Sequence, residues 1–308
     1  MNSPLLGIEI GGTKLQFIVG TSTGGVLRRE RFTVEAATGA AALRAQIESQ
    51  LPKLVKEHRP IGIGVGYGGP VDWETGRICR SHQVSGWDDF PLGDWLQQLG
   101  GVRATVDNDA NCGALAEALC GAGRGCNPVF YVTLGSGVGG GLVIGEKIFH
   151  GVKPGESEIG HVRLDREGTI IESRCSGWAV DAKVRALATA HPQSILARQA
   201  GCLAQAQARA LVPALAEHCA LAKGVLDELA GDLAFGLSHV VHLMHPEIIV
   251  LGGGLALLGE PLRAGVEAAL PKFLMQVFAP GPRIALAELG EEMVPIGALL
   301  LASAAMGR

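Results

Sequence analysis

Val106-Asp107-Asn108-Asp109-Ala110-Asn111 lies where a strand-like run meets a stretch of helical spacing. A carboxylate at such a junction feels the positive end of the helix dipole and stays ionised. An ionised Asp109 in a cleft can accept the proton of an attacking hydroxyl, and Asn108 can bond a neighbouring hydroxyl. The same residues are ordinary helix caps, and read alone the cap suffices. Gly7-Ile8-Glu9-Ile10-Gly11-Gly12-Thr13-Lys14 is a glycine turn between apolar runs. The N–H groups of Gly11 and Gly12 can approach an anion closely there. Thr13 adds a hydroxyl donor, Lys14 a charge, and Glu9 a carboxylate that could hold magnesium directly or through water.

Thr133-Leu134-Gly135-Ser136-Gly137-Val138-Gly139-Gly140 repeats the theme. It satisfies GxGxxG, but a dinucleotide loop needs a helix next, and Gly141 to Ile144 reads as a strand. A phosphate-holding hairpin built on Gly135, Ser136 and Gly137 is the better reading. No GxxxxGK[ST] occurs, so a P-loop is excluded on pattern. Ile248 to Leu251 delivers a third turn, Gly252-Gly253-Gly254, against which a flat nucleoside could lie; a plain strand-to-helix turn would look the same. Gly155-Glu156-Ser157-Glu158-Ile159-Gly160-His161, followed by Glu172, offers acidic and imidazole groups suited to sugar hydroxyls, or merely a solvated polar loop.

These residues need elements to hold them. The runs 5–10 and 15–20 predict a hairpin, and 39–58 a helix ending before Pro60. Strands follow at 61–65 and 102–106, the latter feeding a helix over 109–120 that stops at Gly121 and Gly123. Strand, glycine turn and strand return near 129–144, which reads as an internal duplication. The second half predicts helices at 176–190, 193–199, 203–221 and 224–243, a strand at 247–251, a largely helical 255–270 and a helix at 294–306. Strands alternating with helices in both halves predict an α/β protein of two lobes packed around a cleft. The boundary falls near 115–128.

Composition narrows the class. The chain has 308 residues, 47% of them apolar, and a formal net charge of -4. No basic stripe offers a nucleic-acid footprint. Glycine is the outlier at 45 residues, clustered beside strand-like runs, which suits backbone approaching ligands. Lys14 is the first lysine, so no cationic segment precedes an apolar one and no signal peptide is expected. No uncharged apolar run reaches ~18 residues, so no membrane span is expected. The seven cysteines form no CxxC and read as reduced thiols of a cytoplasmic protein.

In this order and register the motifs resemble the ROK family (repressor, open reading frame, kinase) of the actin, sugar-kinase and heat-shock-chaperone superfamily, over essentially the whole chain. The resemblance implies a two-lobed ribonuclease-H-like fold with an interlobe cleft, with lobes at 1–117 plus 295–308 and at 118–294. Gly7–Lys14 looks like the first phosphate motif, Leu134–Gly140 the second, and Leu251–Gly254 the nucleoside motif. Asn108 and Asp109 match the sugar-binding Asn and the catalytic Asp. Glu158-Ile159-Gly160-His161 matches the ExGH sugar motif, Glu172 a further sugar-binding Glu, and Gly69-Pro70-Val71-Asp72 and Gly86-Trp87 fall at sugar-side loops. The implied activity is ATP- and magnesium-dependent phosphorylation of a hexose or hexose-like sugar, commonly at carbon six. A homodimer is the family's habit.

Two departures stand out. The family usually has Asp where this chain has Glu9. Many members also follow ExGH with CxCGxxGCxE, whose cysteines and histidine hold zinc; here 162–172 contains no cysteine, and Cys175 with His161 cannot make a four-ligand site. No structural zinc is expected. His82 and Gln83 stand where a more family-like asparagine stretch belongs. The rivals are a regulator that senses sugar, whose winged helix-turn-helix would precede the first motif and finds no room before Gly7, a non-catalytic sugar- or nucleotide-binding protein, and a dehydrogenase on Gly135–Gly140. The retained Asp109 argues against the second.

Overall fold

The computed structural model describes residues 3–12, 14–33, 39–79, 86–153, 155, 157–202 and 207–307. The chain divides into two compact units. The first comprises Met1–Gly125, Gly141–Ser157 and Leu289–Arg308, the second Cys126–Gly140 and Glu158–Glu288.

In the first unit, β1 (Leu5–Ile10) and β2 (Lys14–Gly20) form the expected hairpin, paired Leu5 to Gly20 through Ile10 to Leu15. β3 (Val26–Thr33) continues it antiparallel. This strand carries Arg28, Arg29, Glu30 and Arg31, and ends its sheet; charge on an edge discourages pairing with another chain. Ion pairs of Arg29 with Glu292 and Arg31 with Glu291 fasten it to the segment before the C-terminal helix. α1 (Gly39–His58) follows, burying Leu43, Ile47, Leu51 and Leu54 at helical spacing. β4 (Ile63–Tyr67) returns parallel to β1, then come the small hairpin β5 (Val71–Asp72) and β6 (Arg77–Ile78), α2 (Leu92–Gly100), β7 (Ala104–Asn108) parallel to β4, and α3 (Asp109–Cys120).

β8 (Val129–Leu134) opens the second unit, and β9 (Val138–Ile144) carries the chain back into the first, where it pairs with β10 (Lys147–Ile148). Helices then dominate: α4 (Ile171–Cys175), α5 (Gly177–Ala190), α6 (Ile195–Gly201), α7 (Leu211–Ala216) and α8 (Ala220–Met244). β11 (Ile248–Gly252) runs parallel to β8 and to β12 (Arg283–Leu286), with α9 (Glu260–Ala269) between them. α10 (Met293–Ala305) belongs to the first unit and packs on α3, β1 and β4. Gly64 permits that approach: a β-carbon there would stand 1.8 Å from the Ala298 carbonyl oxygen.

The sheet orders are β3-β2-β1-β4-β7 and β10-β9-β8-β11-β12. Each places its hairpin strands before the first strand and its parallel strands after it, so the repeat of strand, glycine turn and strand is a repeat of topology. One expected helix is corrected. Within 203–221 the described residues form a 3-10 turn, Gln207–Ala210, then α7, and the chain breaks at His218, whose φ is 57°. Pro213 sits in the first turn of α7, where its missing N–H costs nothing, so it starts a helix rather than interrupting one. Among the described residues no helix is long and apolar enough to cross a membrane.

Candidate active site

In the first unit, β7 ends on Asp107 and Asn108, and α3 begins at Asp109. Asn108 is a true cap: its Oδ1 accepts from Ala110 N at 2.8 Å and Asn111 N at 3.3 Å. Its Nδ2 donates to the Gly69 carbonyl at 3.1 Å, which leaves a second amide hydrogen that none of these bonds uses. Cap and site are therefore one side chain, and Gly69, Asn108 and Asp109 are brought together.

Asp109 is half-buried, and Gly68 stands against it. A β-carbon on Gly68 would lie 3.4 Å from Asp109 Oδ2 and 3.5 Å from Gly11 Cα. Gly68 N also donates to the Ile10 carbonyl at 2.9 Å, so the Gly11 turn, the bend after β4 and the Asp109 carboxyl share one corner. Burial, and then the charge of Glu9, push the Asp109 pKa up to about 7, against weaker opposition from the Ala110 N–H and Lys14. This corrects the expectation of a carboxylate kept ionised by the helix terminus. Loss of solvent outweighs the dipole here.

Glu9 is buried on β1, and both its oxygens are engaged. Lys14 Nζ lies 2.8 Å from Oε1, and Gln16 Nε2 donates to Oε2 at 2.7 Å. Burial raises its pKa while Lys14 and Gln16 pull it down. A metal bound directly to Glu9 would compete with the Lys14 ammonium for Oε1. Gly12 is half-buried in the turn, and Thr13 falls outside the described residues, as do His82 and Gln83.

Behind Asn108 lies a cluster whose contacts no contiguous motif announces. Asp107 is buried, its Oδ1 accepting from Asn108 N at 2.8 Å and Asn111 Nδ2 at 2.9 Å. Its Oδ2 lies 2.6 Å from His150 Nε2. The imidazole stacks on Trp73, with centroids 4.3 Å apart and planes at 14°. Lys153 pairs with Asp72 at 3.1 Å and with Glu74.

In the second unit, Leu134–Gly137 is the meeting point. Gly135 N donates to the Gly137 carbonyl at 2.9 Å, and Gly177 N, at the start of α5, donates to the Gly135 carbonyl at 2.7 Å. Gly253, at φ 80°, packs so closely that a β-carbon would lie 2.6 Å from Leu134 backbone atoms. Gly254 has open space where a side chain would stand, and Ser136 is exposed. The Gly135 turn and the Gly253–Gly254 bend thus form a backbone-lined corner of the kind a phosphate or nucleoside needs. Val138 joins it to the acidic motif. Its N–H donates to Glu172 Oε2 at 2.9 Å, and the Gly160 backbone packs on its carbonyl. Glu158 and His161 flank Gly160 in a 3-10 turn, with His161 exposed. Glu158, His161 and Glu172 are therefore neighbours of the glycine turn.

Among the described residues no group of three or more His, Cys, Asp and Glu could hold a metal ion. Cys175 is fully buried, and burial pushes its thiol up to about 12, so it stays protonated.

Residues 5–305 match the profile of the ROK family. A glucokinase of Halalkalibacterium halodurans is 30% identical over 306 residues, covering 95% of this chain and 92% of that one. A xylose repressor of Caldicellulosiruptor bescii is 23% identical over 271 residues, covering 83% of this chain and 67% of the repressor. Among solved structures, a ROK family glucokinase from Streptomyces griseus in complex with glucose and AMPPNP superposes with a TM-score of 0.83 at 27% identity, covering 97% of this chain and 99% of that one. The chain belongs to the ROK family and has the ribonuclease-H-like fold of the actin and sugar-kinase superfamily.

Proposed function

We propose that the protein is an ATP-dependent sugar kinase with Asp109 as general base. The observation that carries this is the half-buried Asp109 carboxyl, with a pKa of about 7, in a corner shared with the first glycine turn. A base poised near neutral pH takes up a proton as a hydroxyl attacks, and about half of it is ionised beforehand at pH 7. Asp109 accepts the proton of the attacking sugar hydroxyl, commonly that on carbon six, while that oxygen bonds the γ-phosphorus of ATP and the bond to the β-phosphate oxygen breaks. Asn108 and the Gly69 loop orient the sugar in the first unit. Glu158, His161 and Glu172 are the sugar-side residues of the second. Gly11, Gly12, Thr13 and Lys14 in one unit, and Gly135, Ser136, Gly137, Gly253 and Gly254 in the other, are the phosphate- and nucleoside-side groups.

Magnesium, when bound, offsets charge on the phosphates. Glu9 would reach it through water, on the lone pairs that Lys14 and Gln16 leave free. The likeness to glucokinases supports glucose as the first candidate sugar to test. The resemblance to a xylose repressor supports a second reading, a regulator that binds sugar without turnover.

ATP consumption with magnesium across hexoses, ketohexoses and N-acetylhexosamines separates the two. The expected result is a sugar-dependent rate that Asp109→Ala lowers by ~10²-fold or more while ATP binding persists. Sugar binding with no turnover on any sugar favours the regulator, and near-normal turnover in Asp109→Ala places the base elsewhere.

A further inference from the structure

Asp107 has no part in the chemistry just described, yet it is 1% exposed and sits one residue from Asn108. A buried carboxylate is costly unless donors surround it. Two of its donors, Asn108 N and Asn111 Nδ2, belong to the strand-helix junction itself. The third, His150 Nε2 at 2.6 Å, comes from 43 residues along the chain. A carboxylate only accepts, so Nε2 carries the hydrogen. The stack of the imidazole on Trp73 fixes its plane.

We propose that His150 is a positioning residue for the sugar: through Asp107 it fixes Asn108. The proposal rests on the kinase reading for its sugar and on geometry alone for its coupling. The path runs from His150 Nε2 to Asp107 Oδ2, and from Asp107 Oδ1 to the Asn108 N–H. Asn108 in turn holds the first turn of α3, where Asp109 stands, and the Gly69 carbonyl. Without His150, Asp107 Oδ2 is left buried and short of a donor. The junction must then shift to find one, and Asn108 moves with it.

Two substitutions separate the hydrogen bond from the packing. His150→Phe keeps a ring on Trp73 and removes the donor. His150→Gln keeps an N–H at the reach of Nε2 and removes the ring. The expected result for His150→Phe is a KM for sugar raised about tenfold with the KM for ATP unchanged, since displacement of a hydroxyl-binding group acts on one substrate. His150→Gln restores most of the difference. Hydrogen exchange on the full chain is the second readout, with faster exchange at the Asn108–Asn111 amides in His150→Phe and recovery in His150→Gln. Equal changes in both KM values, or a His150→Phe chain that matches wild type in kinetics and exchange, overturn the proposal. A wild-type chain with no sugar-dependent turnover overturns the kinase reading and the sugar-positioning role with it, while hydrogen exchange still decides the coupling of His150 to Asn108.

Discussion

The turn after β1 and the turn after β8 occupy the same place in two sheets of the same strand order, yet each is closed differently. In both, the strand parallel to the first one exits over the turn through glycine. After β4 the contact is loose: a β-carbon on Gly68 would stand 3.5 Å from Gly11 Cα. After β11 it is tight: a β-carbon on Gly253 would stand 2.6 Å from Leu134 backbone. The charges differ as well. Glu9 beside the first turn is paired with Lys14, whereas Glu172 meets the second through the Val138 N–H. The first turn therefore carries an electrostatic device next to Asp109, and the second a steric one that fixes backbone. The topology was repeated; the physical work was divided.

Exchanging the two glycines for alanine breaks the comparison most forcefully. Gly253→Ala meets both the left-handed φ and the Leu134 backbone, neither of which can yield cheaply, and is expected to cost about 3 kcal/mol of stability. Gly68→Ala meets ordinary van der Waals distances, so its stability should lie within about 1 kcal/mol of wild type. Its methyl group instead lies against Asp109 Oδ2 and should slow turnover roughly tenfold. Denaturant unfolding and steady-state kinetics on the same pair check this. A Gly68→Ala protein that is unstable but fully active per folded molecule would show that the first contact is as tight as the second.

The sharper test concerns charge. Glu9 raises the Asp109 pKa and Lys14 lowers it. Turnover that needs ionised Asp109 rises with pH through a midpoint near 7. Glu9→Gln removes a like charge, so the midpoint of kcat/KM should move to lower pH. Lys14→Met removes the opposing charge, so it should move to higher pH. Glu172→Gln, which alters the residue held at the second turn, should leave the midpoint where it is. No shift in either of the first two variants would mean that burial alone sets the Asp109 pKa.

Much of this division was legible in the chain. β1, β2, α1, α3 and β8 are continuous or strongly periodic segments, and their local pattern agrees with their tertiary surroundings. The glycine turns and Asn108-Asp109 were legible because each is contiguous, with its chemistry in neighbouring residues. β3 was not, because its Arg-Arg-Glu-Arg run reads as a solvated stretch; only the sheet it edges makes it a strand. α2 is short and closed by Gly100 and Gly101, so its pattern is too brief to stand out. The break near His218 depends on a left-handed residue that local spacing does not announce. Asp107 could be seen, but its bond to His150 joins distant stretches with no shared motif. The helix dipole predicted an ionised Asp109. Its burial beside Glu9, a matter of packing, reverses that.

That reversal has a small thermodynamic consequence. The Asp109 pKa is raised from 3.8 to about 7, so the folded state disfavours the carboxylate. Between those values the folded chain holds a proton that the unfolded chain has released, and stability falls as pH rises through this window. Above about 7 the cost is fully present. Asp109→Asn keeps the shape and removes the charge, so it should raise stability at pH 8 by about 1 kcal/mol, since partial solvent access screens much of the full shift. The gain should shrink as pH falls below 7 and disappear near 4, where both proteins are neutral at this position. Thermal unfolding of the two proteins across that range checks it. A gain independent of pH would come from the amide itself, and the electrostatic account of the first turn would then fail at the residue it was meant to explain.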